Sequence, residues 1–412
     1  MRTPAARLAR APQRFDSLRL IPGAVGRHGG SAGGTPLSRL SILSAMVLSA
    51  TLAATSAQAE IVIGGTFNAT GPNAPIGVPG KNAFSLYPTS IAGQSIRYIT
   101  LDDGCDPTLT AKNMRKLTEE DKVDVVVGST CTPGCMSMGD VALERKTAHV
   151  CLSPIQVRNP WAFTLPQSPL LMVDGLVEHM KANAVKSVAY IGFSDGWGDL
   201  NYEALMKFSP PAGIKVLTNE RFARADTSVT PQVLKMFSMN ADAIYVGASA
   251  APAALPSIAL TERGYKGRVY HSPAVVNPDF LRVGGKAVDG SIVATGPFAV
   301  REQLPDSNPT KKPGLEFARL YDAKFGAGTV NPFAAYSWDA WLWLNAALPV
   351  ALKRAQPGTP EFRQAVRDAL ESLQDVAGTH AVYSLSAGNH NGVDARGRVL
   401  VRVENGSFRL MN

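Results

Sequence analysis

The 412-residue sequence predicts an α/β protein with two doubly wound parallel-sheet lobes, joined by a three-stranded hinge with a ligand cleft between them. Three observations carry that prediction. From Glu60 onward, short β-branched runs alternate with helix-length segments, the rhythm of parallel sheets covered on both faces. Many of the helical segments open on a capping side chain followed by proline. No linker, low-complexity tract or internal repeat interrupts 60–412, so direct strand crossovers join the lobes rather than a flexible tether.

Taken in order, the chain begins with a leader. Residues 1–59 hold seven arginines, no lysine and one acid, Asp16. Residues 40–59 are uncharged, with Arg39 before them and Ala57-Gln58-Ala59 at their end. Basic flank, apolar segment and small-residue site are the parts of a secretory signal, so cleavage is expected after Ala59. Three serines in 41–49 and more hydroxyls beyond make the stretch a weak membrane span. No cysteine follows until Cys105, so a lipid anchor is not expected. The 36 residues ahead of Leu37 are long for a basic flank, which leaves open an extended leader or a downstream start.

Strands are expected at 61–67, 96–102, 123–129, 149–153, 187–193, 214–221, 243–247, 268–271 and 291–295. Helix starts are expected at Asp106-Pro107, Thr132-Pro133, Ser168-Pro169, Thr230-Pro231, Asn277-Pro278 and Thr359-Pro360. Residues 398–410 read as a hairpin turning at Asn405-Gly406. Crossovers are placed near 164–169, 294–298 and 389–398. One lobe then takes 61–165 with 297–390, and the other 166–296 with 391–412. Open parallel sheets bind ligands beyond the C-terminal ends of their strands, so two facing edges make a closable cleft.

Composition excludes several functions. The net charge of +8 resides mostly in the leader; 60–412 carries 34 basic against 32 acidic residues, too balanced for a nucleic-acid footprint. There is no G-x-S-x-G elbow, phosphate-binding glycine loop or H-E-x-x-H, and the six histidines show no metal spacing. No catalytic residue, cofactor or metal is therefore expected. The four cysteines lie together at 105, 131, 135 and 151, and in an exported chain they are expected to pair. Cys131 and Cys135 have C-x3-C spacing, but with only His149 nearby they make a poor zinc site.

Four segments carry a family resemblance: IVIGGTFNATGPNAPIG at 61–77, LDDGCDP at 101–107, the strand and Cys-Thr at 123–132, and DGWG at 195–198. On these the chain resembles the leucine/isoleucine/valine-binding family of periplasmic solute-binding proteins of ABC importers, with the type I periplasmic binding protein fold. Segments 303–309 and 389–392 resemble a branch of that family that often takes aromatic acids. The resemblance implies a periplasmic monomer that binds a small carboxylate and hands it to a permease and its ATPase. It implies a Cys105–Cys131 bridge closing a loop of about 26 residues, worth ~3 kcal/mol in the chain-entropy model. Cys135 and Cys151 remain either a second bridge or buried thiols, with Cys135 also able to compete for Cys105.

The resemblance also implies a site. Thr132, at the start of a helix, would hold the ligand carboxylate, and helix-start N–H groups suit an anion. Trp197 would cover the ligand from the second lobe, and Ile76 and Ile155 would supply apolar wall. The loop after 149–153 has Val157 where the family has a hydroxyl, with Gln156 beside it. Ser249 stands where a tyrosine is frequent. Near Ala274 the amino-acid binders carry a glutamate, yet 268–278 contains no acid. A buried ammonium without a counter-charge is costly, so a carboxylate lacking a charged amine is expected. His271, on that same strand, either helps hold the anion or packs at the strand end. A ligand-sensing subunit on the same fold and an unrecognised periplasmic enzyme are the rival readings.

Overall fold

The computed structural model describes residues 59–411 and Gly29; the remainder of the leader, with its expected signal, lies outside the described residues. Through the first sheet the chain runs β1 (Ile61–Phe67), α1 (Ala74–Phe84), β2 (Ser90–Ile91), β3 (Gln94–Asp102), α2 (Pro107–Arg115), β4 (Val125–Gly128), α3 (Thr132–Arg145), β5 (Ala148–Cys151) and β6 (Ala162–Thr164). These strands lie in the order β2-β3-β1-β4-β5-β6, all parallel except the short edge strand β2. Every residue of β1, β4 and β5 is buried, as parallel strands covered on both faces require.

The second sheet is built from α4 (Pro169–Ala182), β7 (Ser187–Phe193), α5 (Gly196–Phe208), β8 (Lys215–Phe222), α6 (Thr230–Ser238), β9 (Ala243–Gly247), α7 (Ala254–Glu262), β10 (Arg268–His271), α8 (Pro278–Gly284) and β11 (Ile292–Thr295). The chain then returns to the first lobe with α9 (Lys311–Phe325), α10 (Pro332–Leu352), α11 (Pro360–Glu371) and the two-residue strands β12 (Val376–Ala377) and β13 (Val382–Tyr383). It ends in β14 (Val399–Glu404) and β15 (Ser407–Leu410), added antiparallel to β11 in a sheet ordered β15-β14-β11-β10-β9-β7-β8. Asn405 and Gly406 have φ of 50° and 70°, the two positive angles a tight hairpin turn needs.

The structure therefore has two mixed, mostly parallel α/β lobes. The first core gathers Ile61, Val126 and Val150 from the strands with Trp343, Leu344 and Phe362 from α10 and α11. Sequence reasoning does not mark α10. Its apolar residues run all round, so it has no stripe, although Asn331 caps it by accepting from the N–H groups of Phe333 and Ala334. Of the six expected cap–proline starts, Asp106, Ser168, Asn277 and Thr359 each accept from an N–H in the first turn. Thr132 and Thr230 instead begin the helices themselves and make no cap bond.

Between the sheets the chain passes three times, through 165–168, 296 and 390–398, and the passages touch. The Asn391 amide donates to the carbonyls of Thr164 and Pro166, both at 2.8 Å, and Gln167 Nε2 donates to the Gly397 carbonyl at 2.8 Å. A Cβ on Gly296 would lie 2.1 Å from His380 Nδ1 and 2.7 Å from Gln167 Nε2, so only glycine fits that passage. Among the described residues no helix is long and apolar enough to cross a membrane.

Candidate functional site

A cavity between the two lobes encloses about 610 Å³ of empty space, its mouth included. Most of the wall is made by segments that follow the C-terminal ends of strands, β1, β4 and β5 on one side and β7, β8, β9 and β10 on the other, with the 165–168 passage, Thr295 and the start of α10 completing it.

On the first lobe, Thr132 is buried as the first residue of α3. Its hydroxyl donates to the Pro154 carbonyl at 3.1 Å and lies 2.7 Å from Ser153 Oγ. Two disulfides bracket it: Cys105–Cys131 ties the α3 entry to the end of β3, and Cys135–Cys151 ties the first turn to the end of β5. The second bridge takes both sulfurs of the group Cys135, His149 and Cys151, the described residues closest to a metal-ligand cluster. At the start of α3, Pro133 has no N–H and the Cys135 N–H bonds the Cys131 carbonyl at 2.9 Å, so the open N–H groups are those of Thr132 and Gly134, of which Thr132 lines the cavity.

On the second lobe, Asp195 organises the wall. Its Oδ1 accepts from the N–H groups of Trp197 and Gly198, at 2.9 and 3.3 Å, which starts α5 and sets the Trp197 ring against the cavity. Trp197 is 4% exposed, and its indole N–H has no partner among the described residues. Asp195 Oδ2 holds Arg224 Nε at 2.6 Å. Arg224 Nη1 donates to Ser249 Oγ at 3.0 Å, and the guanidinium lies over the Phe193 ring, 4.3 Å from its centroid. Burial pulls the Arg224 pKa down while Asp195 pushes it back up. At the back, Tyr336 Oη donates to Gln167 Oε1 at 2.5 Å and its ring stacks on His380, so hinge residues form part of the wall.

Ile76, Thr132, Trp197, Ser249 and Ala274 all line this cavity. Ile155 and Gln156 do not. After Pro154 the chain turns out to the surface, where Gln156 is exposed and its amide donates to Glu203 of α5 at 3.3 Å. Ser153 occupies the wall in their place. His271 packs behind it: its ring bonds Ser257 Oγ at 3.0 Å, and burial drives its pKa down to about 3. Sequence reasoning missed Arg224, Asn73, Thr130, Ser153, Phe333 and Tyr336. Position just past a strand end marks Ser153, and the Asn331-Pro332 start marks the helix that carries Phe333 and Tyr336. Nothing local distinguishes the rest.

The lobes also meet beside the cavity. A Cβ on Gly196 would lie 2.7 Å from Met136 Sδ and 3.8 Å from Thr132 Cγ2, so the starts of α3 and α5 are in near contact. With the Gln156–Glu203 bond, this is the geometry of a shut cleft.

Two lobes joined by three passages, with a cavity between them, are the architecture of a ligand-binding protein. The chain belongs to the periplasmic binding protein family, whose model matches residues 60–406. It is similar to a solved extracellular ligand-binding receptor from Rhodopseudomonas palustris HaA2, with 43% identity and a TM-score of 0.84 over 86% of this chain and 100% of the other. It is also similar to an amino acid binding protein of Pseudomonas aeruginosa, 25% identical over 76% of this chain and 84% of that one. The fold alone is shared with an R. palustris ABC-transporter solute-binding protein solved with benzoate: 17% identity, TM-score 0.71, covering 85% and 95% of the two chains.

Proposed function

We propose that this protein is the periplasmic solute-binding component of an ABC importer and closes on a small carboxylate that lacks a charged amine. One observation carries the reading: the cavity wall includes a single charged residue, Arg224, and no aspartate or glutamate. A buried ammonium there would lack a counter-charge, at a cost of several kcal/mol. A carboxylate instead meets the hydroxyls of Thr132 and Ser153 and the open Thr132 N–H at the start of α3. Ile76, Leu152 and Phe333 provide apolar surface for the remainder of the ligand. The benzoate-bound fold relative and the amino-acid-binding relative represent the two outcomes, and the missing acid favours the first.

In this reading 61–165 with 297–390, and 166–296 with 391–412, rotate as two bodies about the three touching passages. Closure brings Trp197 over a ligand held at Thr132, and the permease and ATPase receive it from the shut form. Calorimetric titration of leucine, 4-methyl-2-oxopentanoate and 4-hydroxybenzoate into one preparation tests the ligand class. An amine-free acid is expected to bind tighter than leucine by about thirtyfold, the equivalent of ~2 kcal/mol. Leucine binding tightest would overturn the reading. Loss of high-affinity uptake of the bound acid on deletion of the gene is the matching expectation for import.

A further inference from the structure

Resting on that reading of a carboxylate ligand, we propose that the ligand also carries a neutral hydrogen-bond acceptor, a hydroxyl or carbonyl oxygen away from its carboxylate, received by Arg224 and Trp197 on the second lobe. The guanidinium is fixed on three sides, by Asp195 at Nε, by Ser249 at Nη1 and by the Phe193 ring beneath it. Its Nη2 group has no partner among the described residues, although Arg224 lines the cavity. The Trp197 indole N–H, in the same lobe's wall, is buried and equally unpartnered. A buried donor left unmade is costly, so the Trp197 N–H, with the unpartnered Nη2 of the 18%-exposed Arg224 side chain on the same wall, points to an acceptor that the ligand brings.

The charge arithmetic selects the kind of acceptor. Asp195 already neutralises Arg224 at 2.6 Å, so the pair presents N–H groups without net charge. A second carboxylate arriving there would be buried without its own counter-ion and would face Asp195 as well. A neutral oxygen takes the same hydrogen bonds without that penalty. The small side chain of Ser249 matters here too, since the guanidinium lies within hydrogen-bonding distance of it, at the wall.

The test is calorimetry with benzoate, 4-hydroxybenzoate, 4-acetylbenzoate and benzene-1,4-dicarboxylate on the wild-type protein and two variants. The wild type is expected to bind the hydroxy or acetyl acid at least about tenfold tighter than benzoate and than the dicarboxylate, the scale of one hydrogen bond to a charged donor. Trp197→Phe keeps a smaller aromatic wall and removes the N–H. The double variant Arg224→Met/Asp195→Asn removes the guanidinium without stranding the carboxylate, and asparagine still caps α5. Both are expected to weaken the hydroxy and acetyl acids more than benzoate, so that most of the preference is lost. Equal affinity for benzoate and its 4-substituted forms overturns the inference while leaving the carboxylate reading intact. So does a dicarboxylate that binds tightest, or a preference unchanged in both variants. Failure of all four acids and of 4-methyl-2-oxopentanoate to bind overturns the carboxylate reading itself.

Discussion

Thr132 shows how a single hydroxyl serves either the fold or the ligand. As a helix cap it would accept from an N–H of α3; instead it donates to Pro154 and pairs with Ser153, leaving the helix start open toward the cavity. Valine has the same shape without the hydroxyl. Thr132→Val is expected to weaken carboxylate binding by about 1–2 kcal/mol, some five- to thirtyfold, measured by calorimetry. Gly198 serves the fold alone. A Cβ there would lie 1.9 Å from the Phe193 carbonyl oxygen, so Gly198→Ala must shift the start of α5. A loss of about 2 kcal/mol or more in chemical denaturation is expected, and ligand affinity should fall with it because Trp197 is the preceding residue.

At the scale of elements, the α3 entry is the most constrained part of the site. Cys131 and Cys135 lie on either side of Thr132, and their bridges run to the ends of β3 and β5, closing separations of 26 and 16 residues. Non-reducing peptide mapping of the oxidised protein is expected to recover Cys105–Cys131 and Cys135–Cys151; a Cys131–Cys135 peptide would contradict the structure. The helix α11 is held by a cap and a buried apolar face. Thr359 Oγ1 accepts from Phe362 N–H at 3.1 Å, and Phe362, Val366 and Leu370 bury its apolar face. Thr359→Ala is expected to cost about 1 kcal/mol in denaturant titration, with carboxylate affinity unchanged because α11 contributes nothing to the cavity wall.

Over the whole molecule, burial sets the response to acid. His149, His271 and His380 are fully buried, and desolvation drives their pKa values down to about 4, 3 and 3. Their folded values lie below the unfolded value, so their stabilising contribution is present above about pH 6.5 and is lost as pH falls toward the folded values. Asp339 runs the other way. Burial raises it to about 6, so it takes up a proton in the folded state first and opposes the histidines below that pH. Burial also raises Asp103 and Asp124, which oppose them further down. Between pH 6 and 5, three histidines against one aspartate leave a net loss of about 3 kcal/mol per pH unit. Calorimetric scans from pH 7 to 5 are expected to show a falling Tm; a flat or rising Tm would contradict the assignment of these histidines as buried and neutral.

The lobes were legible in the sequence because their cause is local. Runs such as Val125–Gly128 are apolar on both faces, and capping residues such as Asp106 and Asn277 mark where each helix can begin. The Asn405-Gly406 turn dictates its own hairpin for the same reason: the two positive φ angles belong to those residues. The helix α10 could not be read from periodicity, because its apolar residues run all round and leave no stripe; only its Asn331-Pro332 start announces it. The site divided along the same line. Thr132, Trp197 and Ser249 sit where strand ends and their following loops put them, so their positions relative to the sheet could be read. Arg224 could not, since what makes it part of a cavity is a carboxylate 29 positions earlier and a hydroxyl 25 positions later in the chain. Ile155 and Gln156 fail in the opposite sense. They adjoin the wall in sequence, but the chain's turn after Pro154, a matter of packing between lobes, carries them out of it. Backbone hydrogen bonding and burial act over a few residues and leave a pattern along the chain; the meeting of two lobes is decided by contacts between segments far apart, and it leaves none.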